Sequence, residues 1–86
     1  MQNKGKKLRH IVLYHRPGCH LCEDAEQVLR QAAQHVEFTF EAVDIESKLE
    51  LLEAHRFDIP VIEIDGKPRF RHRIEVEQIL AAVREE

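Results

Sequence analysis

The apolar positions of the chain change their spacing several times, and each change marks an element. His10-Ile11-Val12-Leu13-Tyr14 is short, rich in β-branched residues and almost continuously apolar, the pattern of a strand covered on both faces. His15-Arg16-Pro17-Gly18 ends it with turn chemistry. From Leu21 the apolar residues step by three and four through Ala25, Val28, Leu29, Ala32 and Val36, with Glu23, Glu26, Arg30, Gln31 and Gln34 opposite them. That spacing predicts a helix of about four turns with one core-facing stripe, and it sets Glu26 and Arg30 for an i,i+4 ion pair.

Residues 37–45 switch to period two through Phe38, Phe40 and Ala42, a second strand. Ser47 and Glu50 read as a capping box for a helix from Lys48 to about Arg56, which must end before Pro60. Val61-Ile62-Glu63-Ile64 is a third strand, Asp65-Gly66 a two-residue hairpin turn, and Lys67 to about Arg71 a fourth strand antiparallel to the third. Pro68 suits an edge position because it lacks an N–H. Val76, Ile79, Leu80 and Val83 recur at helical spacing, with Glu75 and Glu77 near the positive end of that last helix. The order β-α-β-α-β-β-α predicts an α/β fold with a four-stranded mixed sheet and helices on both faces. Strands joined through helices are expected to run parallel by right-handed crossovers, with the hairpin adding an antiparallel edge.

Composition narrows the class without changing this outline. The chain has 86 residues, enough for a single domain over residues 8–86 behind a polar tail at residues 1–7, but only about 60–65% of the unfolded surface can be buried at this size. A hydrophobic fraction of 43% beside 34% charged residues is that of an ordinary folded domain. The net charge of -3, with the cations dispersed, gives no attraction to nucleic acid. The basic start lacks a following apolar stretch long enough for a secretory signal, and no run is long enough to span a membrane. A soluble, monomeric, cytoplasmic protein is expected.

The chemistry concentrates in Cys19-His20-Leu21-Cys22, which holds both cysteines of the chain. Two cysteines so close make a poor structural staple, because the loop they close is tiny; in a reducing compartment the spacing reads as redox or metal chemistry. Cys19 falls at the start of the first helix, where the positive helix end and free N–H groups favour thiolate over thiol. Cys22, one turn on and beside Ala25, falls on the buried side and suits the role of a resolving thiol. Arg16 and His20 are placed to lower the Cys19 pKa further, each with a plain reading as a solvated surface residue. A structural zinc site needs four ligands, and only two cysteines are present, with His15 or His20 poorly aimed to help. Two inert core cysteines are the other plain reading. Ile59-Pro60 either simply ends the second helix or forms a cis peptide facing the cysteines, with the backbone of Ile59 offered to an extended substrate.

With this element order, Cys19-x-x-Cys22 at a helix head and Ile59-Pro60-Val61 before the third strand, the chain resembles the thioredoxin fold, a three-layer sandwich. Within it, the chain is most similar to glutaredoxin-like proteins, including a small bacterial group with His-Leu between the cysteines. The resemblance covers about residues 8–84. It implies Cys19 as nucleophile, Cys22 as resolving thiol, Pro60 as a cis proline, and Tyr14 and Arg16 as the aromatic and basic positions before the first cysteine. Glutaredoxins usually carry a Gly-Gly step and an acidic residue before the last helix, at the glutathione site; here the stretch is Phe70-Arg71-His72-Arg73-Ile74-Glu75. Arg71 and Arg73 either hold carboxylates through their side chains or are solvated. The buried acid that thioredoxins keep beneath the cysteines has no obvious match.

The expected function is thiol–disulfide exchange with protein or small-molecule disulfides, with no bound cofactor and no metal, and with glutathione or a thioredoxin reductase as reductant. The alternatives are a thioredoxin-fold adaptor, or a metal or iron–sulfur carrier using the pair as soft ligands. A copper chaperone ranks below these, since such domains follow a β-α-β-β-α-β order.

Overall fold

Alternation along the first strand divides the molecule into its layers. In the computed structural model, which describes residues 8–85, β1 (His10–His15) turns Ile11 and Leu13 into a closed core while Val12 and Tyr14 on the other side are half-buried. The cover expected on both faces is thus closed on one side and partial on the other. The closed side is roofed by α1 (His20–Ala32), through Ala25, Leu29 and Ala32, and by α3 (Val76–Arg84), through Ile79 and Ala82. These pack on Ile11, Leu13, Ile62 and Ile64, each large aliphatic side chain contributing about 1.5–3 kcal/mol by leaving water. The Glu26–Arg30 pair forms on the outer face of α1, at 2.7 Å. The tail expected over residues 1–7 lies outside the described residues.

The sheet also contains β2 (Thr39–Asp44), β3 (Val61–Ile64) and β4 (Lys67–Arg71), in the order β2-β1-β3-β4. β1 and β2 are parallel, as expected of a helix-linked pair. β3 instead runs antiparallel to β1, although α2 (Leu49–His55) links it to β2. Length explains the correction. Seven residues of helix rise only about 10 Å, against about 20 Å for six residues of strand, so α2 by itself falls short of carrying the chain back along β2. β3 therefore starts at the end of the sheet where β2 stops, and Tyr14 pairs with both Val43 and Val61.

The region before α2 also departs from the expected capping box. The Asp44 side chain accepts the Glu46 N–H at 2.8 Å and starts a 3₁₀ turn over Ile45–Ser47, so Ser47 lies inside that turn and donates its hydroxyl to the Asp44 carbonyl at 2.7 Å. Lys48, at the N-cap of α2, makes no side-chain cap bond. Reciprocal capping occurs at α3, where the Gln78 side chain accepts the Glu75 N–H at 2.8 Å. α2 has no buried residue, and on its side of the sheet the His55 ring stacks on Tyr14 with centroids 4.5 Å apart. Among the described residues, no helix is long and apolar enough to cross a membrane.

The hairpin turn takes the left-handed conformations that Asp-Gly favours, with φ of 53° at Asp65 and 85° at Gly66. It is tied to the start of β1, because Asp65 accepts the His10 N–H at 2.9 Å and an Arg9 N–H at 3.0 Å. These bonds, the backbone one foremost, hold the Asp65 carboxyl below its ordinary pKa.

Two outcomes follow for stability. Leu29→Ala, in the closed core, should cost about 2–5 kcal/mol in denaturant unfolding, whereas Leu49→Ala, at a residue 67% exposed, should stay within about 0.5 kcal/mol. A carboxyl with a depressed folded pKa stabilises above its unfolded pKa, and that contribution is lost as pH falls through the folded value. Asp65→Asn should therefore lower the urea midpoint near pH 7, with the gap to the parent protein closing as pH falls below the ordinary aspartate pKa.

Candidate functional site

The two cysteines differ because one precedes the helix and the other lies within it. Gly18, at φ 79°, takes a left-handed conformation that turns the chain out of β1 and into α1. Cys19 follows as the N-cap in extended geometry. Its carbonyl accepts the N–H groups of Cys22 and Glu23, both at 3.1 Å, and its Sγ accepts the Cys22 N–H at 3.1 Å. The pair is joined as a disulfide with Cα atoms 5.2 Å apart. Cys22 is 4% exposed and adjoins buried Ala25, while Cys19 is partly open to solvent. Once reduced, Cys19 keeps a donor aimed at its sulfur and the positive helix end beneath it, both of which favour thiolate.

A cleft of about 150 Å³ reaches both cysteines from the β1–α1 loop, with Leu13 at its apolar side and Arg16, Glu23 and Glu26 among its charged walls. Arg16 lies there as the sequence suggested, but its guanidinium is engaged: Nε and Nη2 donate to one Glu46 carboxylate oxygen at 3.1 and 2.8 Å. Glu46 is a site residue that sequence reasoning missed, since it lies thirty positions away beyond β2. His20 stands in solvent with its side chain 94% exposed, Nδ1 being 3.7 Å from a Glu23 oxygen.

Tyr14 is not among the residues lining this cleft. It leaves β1 on the opposite side from Leu13, donates its hydroxyl to Glu63 at 3.3 Å and stacks on His55. Its pKa is raised, first by burial and then by the Glu63 carboxylate. The Tyr14–Val61 pairing sets the segment before β3 beside the end of β1, where the cysteine loop begins. In that segment the Ile59–Pro60 bond is cis, Pro60 is buried and Ile59 half-buried. Among the described residues, neither the N–H nor the carbonyl of Ile59 enters the hydrogen bonds between loops.

Three contacts join this segment to the end of β4 and the residue after it. The His72 N–H donates to the Pro60 carbonyl at 2.8 Å; the His72 ring, protonated on Nε2, donates to the Phe57 carbonyl at 3.4 Å; and Arg71 lies 3.8 Å from an Asp58 oxygen. His72 sits at φ 65°, a left-handed conformation costing a residue with a Cβ about 1 kcal/mol. The tight backbone usually made with glycine is thus made here by a histidine whose ring and N–H are both held. Among the described residues, no group of three or more His, Cys, Asp or Glu side chains is arranged to hold a metal ion.

Comparison with known proteins agrees with this geometry. A glutaredoxin-like protein of Dictyostelium discoideum, described as a YDR286C homolog, is 33% identical over 76 aligned residues, spanning 81% of this chain and 70% of the relative. The solution structure of protein Ne2328 from Nitrosomonas europaea superposes with a TM-score of 0.80 at 27% identity, covering 96% of this chain and 99% of that one. A chloroplastic thioredoxin z structure shares the fold, with a TM-score of 0.71 at 21% identity over 93% and 79% of the two chains. A cysteine pair at the head of α1, in a chain similar to a glutaredoxin-like protein, supports a thiol redox role. Residues 10–84 match the family described as glutaredoxin-like domain (DUF836), and the chain belongs to that family.

Proposed function

We propose that the protein is a thiol–disulfide oxidoreductase that passes two electrons through the Cys19–Cys22 pair to protein or low-molecular-weight disulfides in the cytoplasm. The unequal burial of the two sulfurs carries the reading: Cys19 is open at the helix start while Cys22 is enclosed one turn on. In the reduced protein the Cys19 thiolate attacks one sulfur of the substrate disulfide. A Cys19–substrate bond forms, and the departing thiolate takes a proton. Cys22 then loses its proton and attacks the Cys19 sulfur, releasing the second substrate thiol and leaving the Cys19–Cys22 bond. Two protein thiols are oxidised and one substrate disulfide becomes two thiols.

The free backbone of Ile59 beside Pro60 supports an extended substrate segment lying across from Cys19 by strand-like hydrogen bonds. Arg16 is read as a tuner of local charge rather than a direct substrate ligand, because Glu46 already holds its Nε and Nη2 and offsets its charge. His20, standing in solvent on the first turn, is within reach of an arriving substrate. Tyr14 acts by holding α2 against the sheet. Glutathione and a thioredoxin reductase both remain chemically suitable reductants of the pair.

The test is turnover of bis(2-hydroxyethyl) disulfide, coupled either to glutathione with its reductase or to thioredoxin reductase. One coupling should sustain turnover that Cys19→Ser reduces to the rate of uncatalysed exchange. Cys22→Ser should accumulate a mixed disulfide at Cys19 with a protein substrate, detected by intact mass. Failure of both couplings would instead favour a binding module. The Arg16–Glu46 contact gives a second outcome: Glu46→Gln leaves the guanidinium uncompensated and should lower the Cys19 thiol pKa, while Arg16→Gln should raise it. Each shift should be under about one unit because the ion pair is partly solvated, and ultraviolet thiolate absorbance against pH reads it.

A further inference from the structure

Phe57 is 84% exposed, although burying such a ring is favourable. Isolated exposed apolar residues need no explanation in general. Phe57, however, occupies the segment that leads into Ile59-Pro60, and that segment is fastened. The Asp58 N–H donates to the His55 carbonyl at 2.9 Å, the Phe57 carbonyl accepts from the His72 ring, and Asp58 faces Arg71. A ring held in water on a braced segment is ready for contact with little further ordering cost.

Its surroundings set the sign of a partner. The Arg56 guanidinium lies 5.1 Å from the Phe57 ring centroid, and Arg73 follows His72, the residue that holds the Phe57 carbonyl. Asp58, the nearby carboxylate, is offset by Arg71. Among the described residues, neither Arg56 nor Arg73 has a carboxylate within ion-pair distance. The opposite flank of the cysteine loop carries Asp44 at the end of β2 and, just after it, Glu46, which Arg16 offsets. The sheet order places that flank beyond β1 on the β2 side and the basic, aromatic flank on the β3–β4 side.

We propose that Phe57, with Arg56 and Arg73, is a specificity element for polypeptide disulfides, taking an apolar side chain on the ring and an acidic side chain on the guanidinium groups next to the substrate cystine. This rests on the reading of Cys19 and Cys22 as the exchanging pair and names the class of substrate they serve. A small neutral disulfide has nothing to offer this patch. A peptide lying extended past Ile59 would carry its neighbouring side chains over it.

The experiment compares kcat/KM for three probes: a synthetic peptide with an intramolecular disulfide flanked by Leu and Asp, the same peptide with Lys for Asp, and bis(2-hydroxyethyl) disulfide. The parent protein should prefer the Asp peptide to the Lys peptide. Phe57→Ala should lower the ratio of kcat/KM for the Asp peptide over that for the small disulfide by about tenfold, the scale of losing one apolar pocket contact. Arg56→Gln with Arg73→Gln should bring the Asp and Lys peptides to within about twofold of each other. Because each result is a ratio within one preparation, partial misfolding cancels. An unchanged ratio in Phe57→Ala, or no charge preference in the parent, would overturn the proposal while the exchange reading stood. Absence of turnover on all three probes would overturn both.

Discussion

Because α2 by itself falls short of carrying the chain back along β2, β3 begins where β1 ends. That constraint of length assembles the site. It turns the expected parallel strand into an antiparallel one, pairs Tyr14 with Val61 and brings Ile59-Pro60 beside the loop that carries Cys19. A longer second helix returning to the far end of the sheet would leave the cysteines at one end and the proline at the other. The closed core of α1 and α3 fixes the helix whose first turn holds the sulfurs. α2, without a buried residue, is stacked on one ring of the opposite face.

The charges near Cys19 are mostly answered by charges of opposite sign. Arg16 is met by Glu46 and Glu26 by Arg30, while Glu23 stands near His20. Exposed ion pairs of this kind contribute little each. Stabilisation of a thiolate therefore falls mainly to the helix start and to the Cys22 N–H directed at the Cys19 sulfur. These come from the backbone and persist through changes of side chain nearby. The side chains are left to set the sign of the field on the two flanks of the cysteine loop.

Much of this was legible in the order of the residues. Period, turn chemistry and length placed β3 and β4, and the helical stripe around Ala25, Leu29 and Ala32 placed the core face of α1 and the unequal depth of Cys19 and Cys22. Contacts that join distant segments were not legible. Nothing near Arg16 announces Glu46, and Tyr14 faces α2 because strand alternation sends it opposite to Leu13, a side that only the sheet makes evident. The capping reading at Ser47 failed because Asp44 began a turn three residues earlier. No glycine precedes the last helix, yet His72 takes a left-handed backbone there, held by contacts to Pro60 and Phe57 that no local pattern encodes.

The central claim is that reduction gives one reactive and one sheltered thiol. Alkylation of the reduced protein by iodoacetamide across pH, with the modified cysteine identified by mass spectrometry, tests it most directly. The account predicts modification of Cys19 ahead of Cys22, with a midpoint below the free-thiol value of about 8.5. Equal modification of both residues, or a Cys19 midpoint at or above that value, would contradict it.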